Sequence, residues 1–417
     1  MRTVRRDVYL QRLVDRRENG KIKVVTGIRF CGKSFLLFNL YRQYLLGSGV
    51  DASRIITIAL DDGRCAALRD RTALWAFLRQ RLTGTKMKYV FLDEMQLCPG
   101  FESVLNRLIR LSNADVYVTG SNANFLSADV LTEFRGRCDE VRVFPLSFAE
   151  FFSARQGDRE DAWQEYVTWG GLPPILFRPT DALKSRYLTG LCRELYLKDL
   201  GERHRLRGGT VMPAVLGLLA SSVGSLTNPT KLTDMFGSRG IRVSNKTVDL
   251  YVAYLLDAFF ISRAERFDIR GGKYIASPYR YYFADVGLRN ALLGFSQPDG
   301  KCIMENVLYN ELLVRGCSVA VGIVTHSRRD SEGKLQRKQL EVDFVCSSGS
   351  NRCYIQSAFA ISDREKMEQA QNSLNRIDDS FKKIIVVRDG TGLRRNEKGI
   401  VIMNVLDFLL NRNSLDL

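Results

Sequence analysis

Short apolar runs closed by turn formers alternate with stretches of helical spacing through the first third of the chain. Lys21-Ile22-Lys23-Val24-Val25-Thr26 predicts a buried strand, and Phe35 to Tyr44 carries apolar residues at helical spacing. Arg54-Ile55-Ile56-Thr57-Ile58-Ala59-Leu60 predicts a second strand, stopped by Asp61-Asp62-Gly63, with a helix around 67–82 behind it. Lys88-Tyr89-Val90-Phe91-Leu92 and Ala114-Asp115-Val116-Tyr117-Val118-Thr119-Gly120 predict two further strands. Ahead of all these, residues 1–20 predict a basic amphipathic helix ending at the Asn19-Gly20 turn.

Beyond residue 155 the pattern changes. Residues 156–207 predict helices, the last ending in the basic cluster Arg203-His204-Arg205-Leu206-Arg207. Residues 208–300 predict three helices, over 213–223, 231–236 and from Val243 to Phe259, then two strands joined at Arg270-Gly271-Gly272-Lys273. That order is a winged helix, a helix-turn-helix variant for which DNA is one partner and domain packing another. Residues 301–417 predict a separate α/β domain. It holds a helix from Glu305 to Arg315, a strand Ser318–Thr325, a basic hairpin tip from Ser327 to Lys338, strands over 341–345 and 353–358, and then helix, strand, strand and helix.

The chemistry sits on the first of these patterns. Gly27-Ile28-Arg29-Phe30-Cys31-Gly32-Lys33-Ser34, between a strand and a helix, has the G-x-x-x-x-G-K-[S/T] spacing of a phosphate-binding loop. Its glycines let several N–H groups converge on phosphates, and the helix that opens at Ser34 and Phe35 adds partial positive charge. Lys33 is expected to reach the β- and γ-phosphates and Ser34 to ligate Mg²⁺. Downstream, an apolar strand runs into Asp93-Glu94, a Walker B pattern. Asp93 is expected to hold the Mg²⁺ shell and Glu94 to polarise the attacking water. Adjacent carboxylates ending a buried strand are expensive without a cation or solvent nearby. The stretch between the two motifs leaves room for an extra strand between theirs, an arrangement that marks ATP-hydrolysing enzymes. No N-K-x-D guanine-reading motif occurs, so ATP is the expected nucleotide. At the tip of the third core strand, Ser121 and Asn122 suit either a γ-phosphate sensor or an ordinary turn.

Composition adds three constraints. The 417 residues are 45% hydrophobic, enough for two to four cored domains. A net charge of +16 favours polyanion partners. Two histidines exclude a histidine-rich metal site, and nine scattered cysteines without a C-x-x-C pair predict a reduced, cytoplasmic protein. The basic N-terminus lacks the apolar segment of a secretory signal, and the longest mostly apolar stretch, Val211 to Val223, is too short to span a bilayer.

These motifs, with Gln96, Val118-Thr119-Gly120-Ser121-Asn122, Phe134-Arg135-Gly136-Arg137, Pro145-Leu146-Ser147-Phe148, Glu150 and Gly170-Gly171-Leu172-Pro173, resemble a group of AAA+ ATPases. Its members carry a helical lid, a winged-helix region and a restriction-endonuclease-like C-terminal domain of unknown function. The resemblance implies an α/β fold: a P-loop NTPase core over 1–155, a lid over 156–207, a winged helix over 208–300 and a nuclease-like domain over 301–417. It implies that Arg135 or Arg137 acts as an arginine finger on a neighbouring copy's γ-phosphate in a homo-oligomer; ion pairing is the alternative. The C-terminal element order is similar to the PD-(D/E)xK nuclease fold. There Glu305 and Asp343 match metal-binding positions, while Gln356 and Ala358 stand where Glu and Lys are needed. Cleavage is therefore expected to be lost. The expected activity is ATP hydrolysis with Mg²⁺, coupled to DNA or a protein partner. A nucleotide-controlled binding switch with negligible turnover and an ATP-gated nuclease are the alternatives.

Overall fold

A computed structural model describes residues 4–120, 134, 136–193, 211–238, 240–296, 299–329, 335–359, 364–390 and 392–417. They group into two compact units, 1–145 with 257–259, and 146–256 with 260–417.

The first unit is built on β1 (Ile22–Thr26), β2 (Ile55–Ala59), β3 (Lys88–Asp93), β4 (Ala114–Gly120) and β5 (Cys138–Arg142). They form one sheet in the order β2-β3-β4-β1-β5, with every neighbouring pair parallel. This is the parallel core of a P-loop NTPase, and β4 is the inserted strand that the sequence predicts. Because the strands are parallel, the segments after Thr26, Asp93 and Gly120 leave the sheet at one edge, where ligands of such sheets bind.

Strand alternation decides what packs on each face. Val24, Val90, Leu92, Val116 and Val118 meet Leu74 and Leu78 of the helix Arg71–Arg81 and Val104, Leu105 and Leu108 of the helix Glu102–Ile109. On the other face, Phe91 and Tyr117 pack on Tyr41, with ring centroids 5.7 and 4.9 Å from it. Lys23 is fully buried there, and its ammonium pairs with the Asp115 carboxylate, which also accepts the Tyr117 hydroxyl at 2.8 Å. Tyr41 comes from the helical run Lys33–Phe35, Leu36–Tyr41 and Arg42–Gly47, whose middle piece is π-wound where the sequence predicts a regular helix. Tyr41 lies five positions after Leu36, the spacing of one π turn, and both are buried.

In the second unit several residues of the resemblance prove to be local fasteners. Ser147 and Glu150 form a capping box that opens the helix Phe148–Arg155: Glu150 N–H donates to Ser147 Oγ at 3.3 Å, and Ser147 N–H to Glu150 Oε2 at 3.0 Å. Phe148 and Phe151 pack edge-on against Trp163 and Tyr166 of the helix Arg159–Trp169, which groups this helix with the second unit. Gly170, at φ 78°, passes so close to Asp285 that an added Cβ would lie 2.1 Å from its carboxylate. Asp285 caps the helix Val286–Leu292 and accepts Gly171 N–H at 2.7 Å. Its burial pushes the carboxyl up to about 6, against the hydrogen bonds from Gly171, Leu288, Gly287 and Leu172.

The helices Val211–Ser221, Pro229–Gly237 and Asn245–Asp257 precede β6 (Ile261–Asp268) and β7 (Lys273–Phe283), the order that the sequence predicts. β6 also pairs in parallel with β8 (Ser318–Arg329), so the hairpin continues the sheet of the C-terminal region. That sheet adds β9 (Leu335–Ser348), β10 (Asn351–Ala358), β11 (Lys382–Val387), β12 (Arg394–Arg395) and β13 (Val401–Asn404), in the order β12-β13-β11-β10-β9-β8-β6-β7.

Candidate functional site

The glycine-rich loop leaves β1 under tight steric control. Gly27 has φ 139°, and a Cβ there would lie 2.1 Å from the Val143 carbonyl oxygen, so no larger residue fits. Phe30 at φ 63° and Gly32 at φ 99° curl the chain into the helix that starts at Lys33. Lys33 is buried, and its ammonium donates to the carbonyls of Gly27 at 2.9 Å and Ile28 at 3.2 Å. The lysine therefore sits inside the curl that it would share with a phosphate. Cys31 faces inward, its thiol donating to the Val143 carbonyl at 3.4 Å. Arg6 ties the loop from behind, donating to the Cys31 carbonyl at 3.0 Å and the Phe144 carbonyl at 2.6 Å. Arg29 is half-buried, whereas Phe30 and Phe35 stand exposed on the surface of the loop.

Asp93 ends β3 beside this loop and is buried. Burial pushes its carboxyl above the ordinary carboxylate range. Hydrogen bonds from Thr119 and Ser34 oppose that shift, while the charges of Glu94 and Asp61 add to it. The Ser34 hydroxyl thus lies near enough to the Asp93 carboxylate to hold its pKa down, on the side where donors to a shared Mg²⁺ would sit. Hydroxyl and carboxylate oxygens suit that hard cation, and a buried carboxylate with a raised pKa gains from one. The residues present therefore fit Mg²⁺.

Glu94 follows in the left-handed region at φ 51°. Its N–H donates to Thr119 Oγ1 at 2.9 Å, and the Thr119 hydroxyl donates to the Asp93 carboxylate. The Gln96 amide donates to the Glu94 carboxylate. Thr119 is the functional residue that sequence reasoning missed. The available signal was its position next to the end of the inserted strand, two residues before Ser121 at the predicted tip.

Lys33, Ser34, Asp93 and Glu94 therefore converge at one edge of the sheet. Ser121, Asn122 and Arg135 lie outside the described residues. Arg137 is exposed just before β5, at the opposite edge, where its carbonyl accepts Ile22 N–H at 3.0 Å. The length of β1 separates it from its own loop, about 16 Å at strand rise.

The second predicted cluster lies in the second unit. Glu305, on the helix Gly300–Val314, and Asp343, on β9, approach each other as expected, but Arg280 of β7 stands between them. The Gln356 side chain accepts Asp343 N–H at 3.2 Å, where β9 and β10 part. Ala358 does not face this cluster. It packs in an apolar core with Tyr354, Leu374, Ile385 and Val387, and Ser357 is the β10 residue whose hydroxyl donates to the Asp343 carboxylate, at 3.0 Å. The turn between β6 and β7, where a wing is expected, is exposed, with Arg270, Lys273 and Tyr274 at the surface. The cluster 203–207 and the side chains of the hairpin tip over 326–338 lie outside the described residues. Among the described residues no helix is long and apolar enough to cross a membrane.

Residues 19–152 match the family model of an AAA domain, and residues 160–299 match a domain of unknown function. An uncharacterized protein of Haemophilus influenzae is 32% identical over 414 residues, 98% of this chain and 98% of its own. An uncharacterized protein of Methanocaldococcus jannaschii is 25% identical over 362 residues, 83% of this chain and 76% of its own. Among solved structures, a Walker-type ATPase of Pyrococcus abyssi superposes with a TM-score of 0.50 at 15% identity, over 70% of this chain and 96% of that one. That likeness shows a shared fold.

Proposed function

Because this chain belongs to the family of the Haemophilus influenzae protein and carries an AAA domain, we propose that it hydrolyses ATP to ADP and phosphate. The observation that carries the reading is a buried Lys33 inside the loop's curl and a buried Asp93 that Thr119 links to Glu94. Lys33 binds the β- and γ-phosphates, the loop N–H groups hold their oxygens, and Ser34 and Asp93 would hold Mg²⁺. Bound there, the ion would neutralise charge on the phosphates. Glu94 accepts a proton from the attacking water, and Thr119 keeps the backbone of Glu94 in position for it. Ser121 and Asn122 complete the reading as γ-phosphate sensors. Arg137, too far from its own loop, reaches the nucleotide of a second copy, so the active form is an oligomer; Arg135 is the other candidate for that role.

The partner reading favours DNA. An exposed aromatic next to cationic groups at a wing, Tyr274 after Arg270 and Lys273, suits phosphate and base contact. The hold of Gln96 on Glu94 favours a second reading, a switch that turns over only when a partner releases that carboxylate. The test is calorimetry and phosphate release on wild type and Lys33→Ala, with and without DNA. Expected are Mg-ATP binding lost in Lys33→Ala and turnover raised by DNA. Unchanged ATP affinity in the variant refutes the reading. Salt-insensitive or absent DNA binding moves the partner to a protein.

A further inference from the structure

The second unit holds a charge cluster that nucleotide chemistry does not use. Arg280 Nη1 donates to Glu305 Oε1 at 2.8 Å and to Asp343 Oδ1 at 3.1 Å, and Nη2 donates to Glu341 Oε2 at 2.6 Å. The Tyr282 hydroxyl donates to the same Glu305 oxygen at 2.7 Å. Asp343 Oδ2 accepts Ser357 N–H at 2.9 Å and the Ser357 hydroxyl at 3.0 Å. Arg280, Glu305 and Asp343 are 7%, 5% and 6% exposed, and only Glu341 opens to solvent. The Nε of Arg280 is buried with no hydrogen-bond partner, so the guanidinium is seated for the carboxylates alone. Gly224 closes the cluster from above: at φ 73°, its added Cβ would lie 2.8 Å from Glu305 Oε1.

The geometry points to Arg280 as the resident cation of a divalent-metal site: its guanidinium occupies the position where Glu305, Asp343 and Glu341 would otherwise gather a metal ion. One oxygen from each carboxylate is turned inward, and each of those three oxygens is taken by Arg280. Guanidinium and metal compete for the same donors, so the two exclude each other. Among the described residues no group of three acidic, histidine or cysteine side chains is spaced to hold a metal, so the trio does not hold one with Arg280 in place. The charge balance agrees. One positive charge faces three acids. A divalent ion would supply the missing charge, and oxygen donors of this kind suit Mg²⁺ or Mn²⁺. The cluster is thus a latent metal site locked by an internal arginine, and metal-assisted hydrolysis has no ion to work with while Arg280 stays.

Mn²⁺ is the probe, counted by the loss of its free paramagnetic resonance signal on the full chain without nucleotide. The Ser34–Asp93 site contributes equally to wild type and variants. Arg280→Met should bind one more Mn²⁺ per chain than wild type, and adding Asp343→Asn should remove that ion. Arg280→Met should melt below wild type without metal and gain several degrees in Tm with Mn²⁺, while wild type gains none from this site. Arg280→Lys keeps a cation in place and should bind no extra ion. A wild-type ion that Asp343→Asn removes overturns the inference. So does an Arg280→Met chain that folds no better with millimolar Mn²⁺ than without it, or one that folds and binds no extra ion.

Discussion

Thr119→Val removes one hydroxyl from the candidate nucleotide site and keeps its shape. That hydroxyl donates to the Asp93 carboxylate and accepts Glu94 N–H at 2.9 Å, and Thr119 is fully buried. A hydrogen bond to a charged group contributes about 1.5–3 kcal/mol, and a buried N–H left unpaired costs about 1–3 kcal/mol. The losses overlap, because the Ser34 hydroxyl still favours the Asp93 carboxylate. The expected total is about 3 kcal/mol in urea unfolding of the nucleotide-free protein. Mg²⁺ on Asp93 would offset the charged part, so saturating Mg-ATP should narrow the gap to about 1–2 kcal/mol. Catalysis separates orientation from binding. Glu94 loses the anchor of its left-handed backbone, so kcat should fall about 10- to 100-fold, each factor of ten being about 1.4 kcal/mol of barrier. KM for ATP should move less than about threefold, since Lys33, Ser34 and the loop N–H groups are untouched. Phosphate release across an ATP titration reads both. An unchanged kcat with a raised KM would make Thr119 a binding residue, and no change in either would show that its hydrogen bonds do no net work.

Glu94→Gln keeps the shape and should bind Mg-ATP normally while kcat drops at least about 10²-fold; a wild-type rate removes Glu94 from the role of base. Gly287→Ala puts a Cβ 2.0 Å from the Trp169 carbonyl oxygen, a backbone atom with little room to retreat, and should cost about 3 kcal/mol in thermal unfolding. An unchanged Tm would refute that packing. Glu305, ordinary at 4.5 and about 7 when folded, favours its neutral form in the fold, so its contribution is complete below about pH 4.5 and is lost as pH rises to about 7, on the order of 3 kcal/mol. Glu305→Gln should flatten stability between pH 5 and 8, and a variant that keeps the wild-type slope would show that another group sets it.

How much was legible follows from how local each signal is. A phosphate loop needs contiguous residues, so Gly27 to Ser34 could be read in place, and so could Asp93 at the end of its own strand. The insertion of β4 was inferable from spacing, but the hydroxyl of Thr119 matters only because β4 lies beside β3 in a register that sends it to Asp93. Strand patterns name a face and leave the register open. Lys23 hides for the same reason, as an ammonium inside an apolar strand that is stable only because Asp115 arrives from the adjacent strand. That the hairpin of β6 and β7 continues the C-terminal sheet was not legible, because its parallel pairing with β8 joins segments with no shared local signal. The capping box at Ser147 and the glycines at 170 and 171 were legible as motifs, while their partner Asp285 lay far along the chain.

Arg280 sharpens the point into a last prediction. Read as a pattern, the C-terminal domain lacks two groups, and the repair it suggests is Gln356→Glu with Ala358→Lys. The structure argues that this repair fails twice. Ala358 points into the core of Tyr354, Leu374, Ile385 and Val387, so a lysine there buries an ammonium among apolar side chains and should cost several kcal/mol unless it titrates to neutral. Gln356 already spends its carbonyl oxygen on Asp343 N–H, and a glutamate there would add a fourth carboxylate to a cluster with one cation. Neither change displaces Arg280, which enters from β7 and is invisible to a reading that tracks only Glu305, Asp343 and the next strand. The double variant should melt below wild type and show no Mg²⁺- or Mn²⁺-dependent cleavage of DNA. Cleavage by a folded double variant, lost again on Asp343→Ala, would mean that Arg280 yields to metal and that the guanidinium is a placeholder rather than a lock.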